Sequence, residues 1–138
     1  VADSLFGALL VKFNASAALV AAVPGGLWMG QVPETTALPF CVLLTTGQTV
    51  EWSTGSPYVE SSLIQFVVFA KGLATAEAAA DLLKAAFDFA ALTFTSAVTL
   101  ALYREGYLPQ ADELRAPDGE IVYGVTVDYR VMIQRART

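Results

Sequence analysis

Residues 121–133 read IVYGVTVDYRVMI, with Ile121, Tyr123, Val125, Val127, Tyr129, Val131 and Ile133 on one parity and Gly124, Thr126, Asp128 and Arg130 on the other. A period of two sustained over a dozen residues predicts a β-strand with one face in a core and the other toward something more polar. At about 3.3 Å per residue such a strand runs roughly 40 Å, long for a small domain. Part of it is therefore expected to work outside the chain's own core.

Upstream the period changes. Leu5, Phe6, Leu9, Leu10, Phe13, Ala17 and Val20 fall on one broad face at helical spacing, with Asp3 or Ser4 placed to cap and Pro24 and Gly25-Gly26 placed to stop. These residues predict one N-terminal helix. Residues 27–30 suit a short edge strand, and residues 40–46 a clearer one. Both parities of the latter are largely apolar, which predicts an interior position or cover on both faces. The stretch 47–58 is rich in turn formers and ends near Ser56-Pro57, so it reads as a long loop, where binding usually sits.

Residues 59–70 alternate as a strand, after which Thr75 can cap a second helix running to about residue 91. On that helix Glu77, Asp81, Lys84 and Asp88 share an arc of about 60°. Ala79, Leu82, Leu83, Ala86, Phe89 and Ala90 occupy the other side, toward the sheet. Residues 97–107 make another strand, and 109–120 a polar arm containing the turn Pro117-Asp118-Gly119. The expected fold is α+β, a single domain over residues 1–138 with a mainly antiparallel four- to five-stranded sheet and two helices packed on one face.

Composition adds an imbalance to this pattern. Apolar residues make up 55% of the chain and charged ones 15%, with a mean hydropathy of +0.54, whereas an ordinary domain carries about 25% charged residues. Membrane spans do not account for it. The apolar windows 5–23 and 74–91 are broken by Lys12, Asn14 and Ser16 and by Glu77, Asp81, Lys84 and Asp88. A leader peptide is not expected either, since Asp3 precedes the first apolar run and Lys12 falls within it. The remaining explanation is a surface covered by other protein in the working state.

The residues that could carry chemistry are few. No histidine is present, which removes Ser-His-Asp, Cys-His and His-containing zinc arrangements. Cys41, the single cysteine, lies in an apolar strand and suits a small buried hydrophobe. Val23-Pro24-Gly25-Gly26 lacks the Lys-Ser/Thr pair of a phosphate cradle. Glu77, Asp81 and Asp88 share a helix face that could attract a hard cation, but Lys84 among them favours a solvated polar stripe. Asp112, Glu113, Asp118 and Glu120 surround a turn with Arg115 and suit a solvent rim or docking loop. No catalytic residue, metal or cofactor is expected. The net charge of −5 and eight scattered basic residues argue against a grip on nucleic acid.

The segments SLFGALLVKFNASAALVAAVPGGLW, VPETTALPFCVL, FVVFAKG, TAEAAADLLKAAFDF and GEIVYGVTVDYRVMI, which span nearly the whole chain, resemble the tail terminator or tail-completion proteins of tailed phages and gene transfer agents. The resemblance implies a structural virion protein: a ring, usually of six subunits, that caps the tail tube and joins it to the head connector. Its implied partners are copies of itself, the tail tube protein and the head–tail connector protein, with DNA passing through the lumen and no membrane. It implies no catalytic residues. Head-completion and neck proteins of similar size are the neighbouring alternative, and a small enzyme or ligand-binding domain a remote one.

Loop location and residue type then mark Trp28, Glu51, Trp52 and Tyr58 for inter-subunit or docking contacts, and the turn around Arg115 and Asp118 after them. Tryptophan and tyrosine combine area with a hydrogen-bonding handle. For Trp28 and Trp52, a contact with another subunit and a local cap on the core are both open. A stacking platform for single-stranded nucleic acid lacks the basic groove that accompanies one.

Overall fold

The strand predicted at the end of the chain is β5 (Ile121–Arg135), and it lies inside the sheet, between β3 (Tyr58–Ala70) and β4 (Ala97–Arg115). The computed structural model describes residues 4–30, 32–33, 36–52, 58–94, 97–115 and 121–135, with backbone alone at 46, 49, 51–52 and 107–115. Two further strands, β1 (Leu27–Met29) and β2 (Phe40–Trp52), complete a five-stranded sheet of order β1-β2-β3-β5-β4. Three helices accompany it: α1 (Leu5–Ala15), α2 (Ala17–Ala22) and α3 (Leu73–Phe87).

The expected fold class is corrected in its helices: among the described residues there are three rather than two. The sheet is mainly antiparallel, as expected, with one parallel pairing that makes it mixed, β1 beside β2 with Leu27 opposite Cys41 and Met29 opposite Leu43. The extra helix arises at Ser16. Its backbone is extended, its N–H donates to the Phe13 carbonyl at 3.2 Å, and its hydroxyl accepts from Leu19 N–H at 3.3 Å. One serine thus ends α1 and caps α2, the local competition that such side chains offer a helix. Ser4 caps α1 in the same way, accepting from Gly7 N–H at 3.0 Å.

The parallel strand depends on a close backbone crossing. Gly25 N–H donates to Pro39 O at 3.0 Å and Cys41 N–H to Gly26 O at 2.9 Å. A Cβ at Gly25 would collide with the Ala37 carbonyl and come within 2.7 Å of Phe40 Cβ. Glycine is the residue that permits this approach.

The core lies between α3 and one face of the sheet. Ile64, Phe66, Val68 and Ala70 of β3 and Val125, Val127, Tyr129, Val131 and Ile133 of β5 are buried beneath Ala76, Ala79, Ala80, Leu83 and Phe87 of α3. The alanines let the helix axis come near the strands. Phe66 lies 4.9 Å from Phe87 with the rings tilted by 36° and meets Tyr129 edge-on at 5.8 Å; an edge-on aromatic pair adds about 0.5–1.5 kcal/mol to area burial. α1 and α2 pack on α3, and α1 also reaches β1.

α3 ends four residues before the sequence reading places its end. Its N-cap is Gly72, without a side-chain cap bond, and its C-cap is Asp88. Asp88 leaves the solvent stripe to accept a 2.6 Å hydrogen bond from Tyr129 Oη and to pair with Arg104 at 3.4 Å. Phe89 follows with φ +57°.

Candidate assembly surfaces

Two hairpins extend the sheet in opposite directions. β2 does not stop at residue 46 but continues to Trp52, which pairs with Tyr58, while Glu51 pairs with Val59. The stretch read as a long loop is mostly strand, with a register shift between Thr45 and Gly47. Threonine, valine and tryptophan at 49–52 suit a pleated ladder once a partner strand is present. Tyr58 pairs with Arg135, so the Trp52–Tyr58 end of this hairpin lies at the end of the sheet where β5 finishes.

The second hairpin points the other way. The predicted polar arm is the continuation of β4 to Arg115, which pairs with Ile121. The last β5 residue paired with β3 is Tyr123, so Ile121 and Val122 overhang with β4 as their only strand partner. β4 absorbs residues 109–111 in a register shift between Leu108 and Asp112, a position that suits Pro109, which has no N–H to donate.

The residues singled out from sequence are therefore divided. Glu51, Trp52 and Tyr58 come together at one end, with the side chains of Glu51 and Trp52 outside the described residues. Arg115 sits at the base of the opposite tip, and Asp118 lies outside the described residues. Trp28 is on β1 at the sheet's first edge, half-buried, its indole N–H donating to the Gly25 carbonyl at 2.7 Å.

The face away from α3 is built differently. Gln65 donates to Asp128 at 3.0 Å, and Arg130 donates from Nε to Glu105 at 2.6 Å and from Nη1 to Ser61 Oγ at 2.8 Å. The hydrogen bond to Glu105 raises the Arg130 pKa above the ordinary guanidinium value. An open depression of about 260 Å³ is lined by Leu63, Ile64, Gln65, Glu105 and Asp128. Nearer β1 the same face turns apolar: Phe40 and Phe69 stand 5.4 Å apart, and the Phe69 ring lies over Gly124, within 3.0 Å of where a Cβ would be. On the helix-covered side, at the end of the sheet where β5 finishes, Glu60 and Arg135 pair at 3.0 Å, with the Arg135 guanidinium 5.5 Å above the Phe94 ring.

Among the described residues neither lateral edge of the sheet is paired with a further strand along its whole length. Among the described residues, no strand pairs with the outer side of β2 beyond Leu43. Beside β4 the described residues 89–94 make an isolated bridge, Thr93 to Val98, two 3.0 Å bonds between Leu92 and the Thr99 hydroxyl, and a bond from Phe89 N–H to Leu102 O. Exposed apolar side chains mark both edges: Met29, Leu44 and Val50 on one, Phe89, Val98 and Leu100 on the other. Among the described residues no group of three His, Cys, Asp or Glu could hold a metal. None of their helices is long and apolar enough to cross a membrane.

The family described as Tail completion protein gp17 matches residues 7–134, and the chain belongs to that family. A solved chain from the virion of a native gene transfer agent particle is similar in fold. Its TM-score is 0.68 at 21% identity, with 95% of each chain covered. No match was found among curated proteins. The protein is thus a structural, non-enzymatic component of phage-like particles, a tail terminator that serves head–tail joining at the tail–neck junction. Its partners there are the tail tube and head-connector proteins.

Proposed function

We propose that the chain closes into a homohexameric ring that caps the tail tube, meets the head connector on its other side and lets DNA pass through its opening. The observation that carries this reading is the division of labour within one sheet. Two hairpins reach toward opposite ends, suited to two axial partners, while among the described residues neither lateral edge carries a further strand, which suits neighbours in the ring. Different patches on opposite edges make a heterologous contact, the kind that closes into a ring when the rotation fits. The shortage of charge agrees with surfaces that are covered after assembly.

Glu51, Trp52 and Tyr58 are assigned to one axial contact and the turn around Arg115 and Asp118 to the other, with Trp28 beside a lateral edge. Six copies at −5 each carry −30 formal charges. Acidic residues around the opening would repel DNA phosphates and let the genome slide without sticking. Cryo-electron microscopy of intact particles tests the proposal by locating the subunit and counting its copies. One closed ring of six between tube and connector is expected. A place on the head side of the connector, a different copy number or a basic lumen would refute the corresponding element.

A further inference from the structure

Phe89 has 86% of its surface exposed, more than any other large apolar side chain among the described residues. Its backbone is also left-handed, with φ +57°. That conformation is disfavoured for any residue with a Cβ, and the position after a helix C-cap is usually glycine or asparagine. An exposed ring and a strained backbone at the same residue are costs that folding alone does not require.

The segment is nonetheless held firmly. Phe89 N–H donates to Leu102 O at 2.9 Å, Ala90 N–H to Phe87 O at 3.1 Å, and the preceding Asp88 is bound by Tyr129 and Arg104. The ring is presented on a fixed base, the preorganised state that lowers the ordering cost of a contact.

The strand register shows where a complementary surface lies. Phe89 bonds Leu102 on β4. Leu102 is opposite Val131 on β5, Val131 opposite Ser62 on β3, and Ser62 opposite Gln48 on β2. Phe89 therefore stands level with the middle of the unpaired β2 edge. Val50, two residues along from Gln48 and on the same helix-covered side as Ser62, is 41% exposed there. When the ring axis runs along the strands, as the opposed hairpins require, patches at equal height meet without axial rise. The contact then closes instead of climbing into a filament.

We infer that Phe89 is the anchor by which one copy of this chain grips the β2 edge of the next, packing against its Val50. The contact rests on the ring reading above and assigns residues to it. The partner is a second copy because the receiving edge is on the same sheet, unpaired beyond Leu43 among the described residues, and Val50 lies only two residues, about 7 Å, along it from the level of Phe89, within reach of a phenylalanine side chain.

The test uses single variants Phe89→Cys and Val50→Cys co-assembled into particles and oxidised. Cys41 is fully buried and its thiol pKa is raised by burial, so the native cysteine stays silent. A disulfide between a Phe89→Cys copy and a Val50→Cys copy is expected, and a ladder of linked copies from the double variant. Phe89→Gly should raise the melting temperature of the isolated chain by relieving the backbone, yet lower the yield of joined particles by about tenfold, the loss typical of an anchor. Phe89→Asp should lower that yield as well.

Rings that contain copies without this crosslink, or with Phe89→Cys linked to itself or to the tube protein, overturn the contact while leaving the ring intact. Wild-type joining by Phe89→Gly and Phe89→Asp does the same. Particles with no ring of copies at all remove the ring reading and this contact with it.

Discussion

The Tyr129 hydroxyl is the support on which the end of α3 rests, and removing it has a calculable effect. Tyr129 has no exposed surface, and its hydroxyl donates to the Asp88 carboxylate at 2.6 Å, while the Asp88 side chain keeps 27% of its surface exposed. A hydrogen bond to a charged group contributes about 1.5–3 kcal/mol, and partial exposure argues for the lower half of that range. Tyr129→Phe is therefore expected to cost about 2 kcal/mol. For 138 residues the unfolding entropy is about 0.29 kcal/mol/K, so the loss lowers the melting temperature by about 7 °C. Asp88→Ala costs about as much, because it strands a buried hydroxyl as well as freeing Arg104. The decisive variant is the pair. Once the carboxylate is gone, deleting the hydroxyl removes an unsatisfied group, so Tyr129→Phe in the Asp88→Ala background should be neutral or stabilising. Calorimetry of the four proteins measures the cycle. An equal cost of Tyr129→Phe in both backgrounds would show that the bond does not hold this corner, and the fixed base ascribed to Phe89 would lose its support.

Burial raises the Cys41 thiol above its ordinary 9.0, and burial with the Asp88 hydrogen bond raises Tyr129 above its ordinary 10.0, so both stay protonated in the fold while the unfolded chain releases their protons. Folding stability should be fully present below pH 9 and fall above it, by up to about 1.4 kcal/mol per pH unit for each group; denaturant midpoints across pH 8–11 check this, and a Cys41→Ala slope equal to wild type would count against it. Gly25→Ala forces a methyl into the crossing at Ala37 and Phe40, and a loss of about 1–3 kcal/mol is expected, with amide exchange rising first along β1; an unchanged melting temperature would refute the close approach. Purified Trp52→Ala and Arg115→Glu chains should fold as wild type yet join heads to tails poorly, and normal joining by both would remove these residues from the docking assignment.

Much of this architecture was legible in the apolar pattern. β5 was found from its alternation because a strand covered on one face by α3 must alternate, and the structure adds only Gln134 and Arg135 to it. Features set by distant partners were not legible. Residues 47–52 look like a loop until β3 supplies the opposite ladder, and 112–115 like part of an arm until 121–124 pair with them. The break at Ser16 left a local trace, a serine within a helical run, but the run's apolar spacing continues through it. Phe89 is the clearest case. On a helical projection it joins the buried side of α3, and only the capture of Asp88 by Tyr129, 41 residues away, ends the helix one turn early and turns the ring outward. A phenylalanine just after a carboxylate near a helix end carries no local sign of that capture. The division of Glu51, Trp52 and Tyr58 from Arg115 likewise follows from register, which no single stretch of sequence contains.

The antiparallel seam between β3 and β5 is thirteen residue pairs long; the β2–β3 ladder ends beside one end of it and the β4–β5 ladder runs past the other. Tension arriving at one tip and leaving by the other therefore pulls lengthwise along that seam, loading its bonds together in shear rather than peeling them one at a time. In the ring proposed above, a subunit that holds a filled capsid to its tail would have, in this zipper, the direction of greatest mechanical strength aligned with the direction of load.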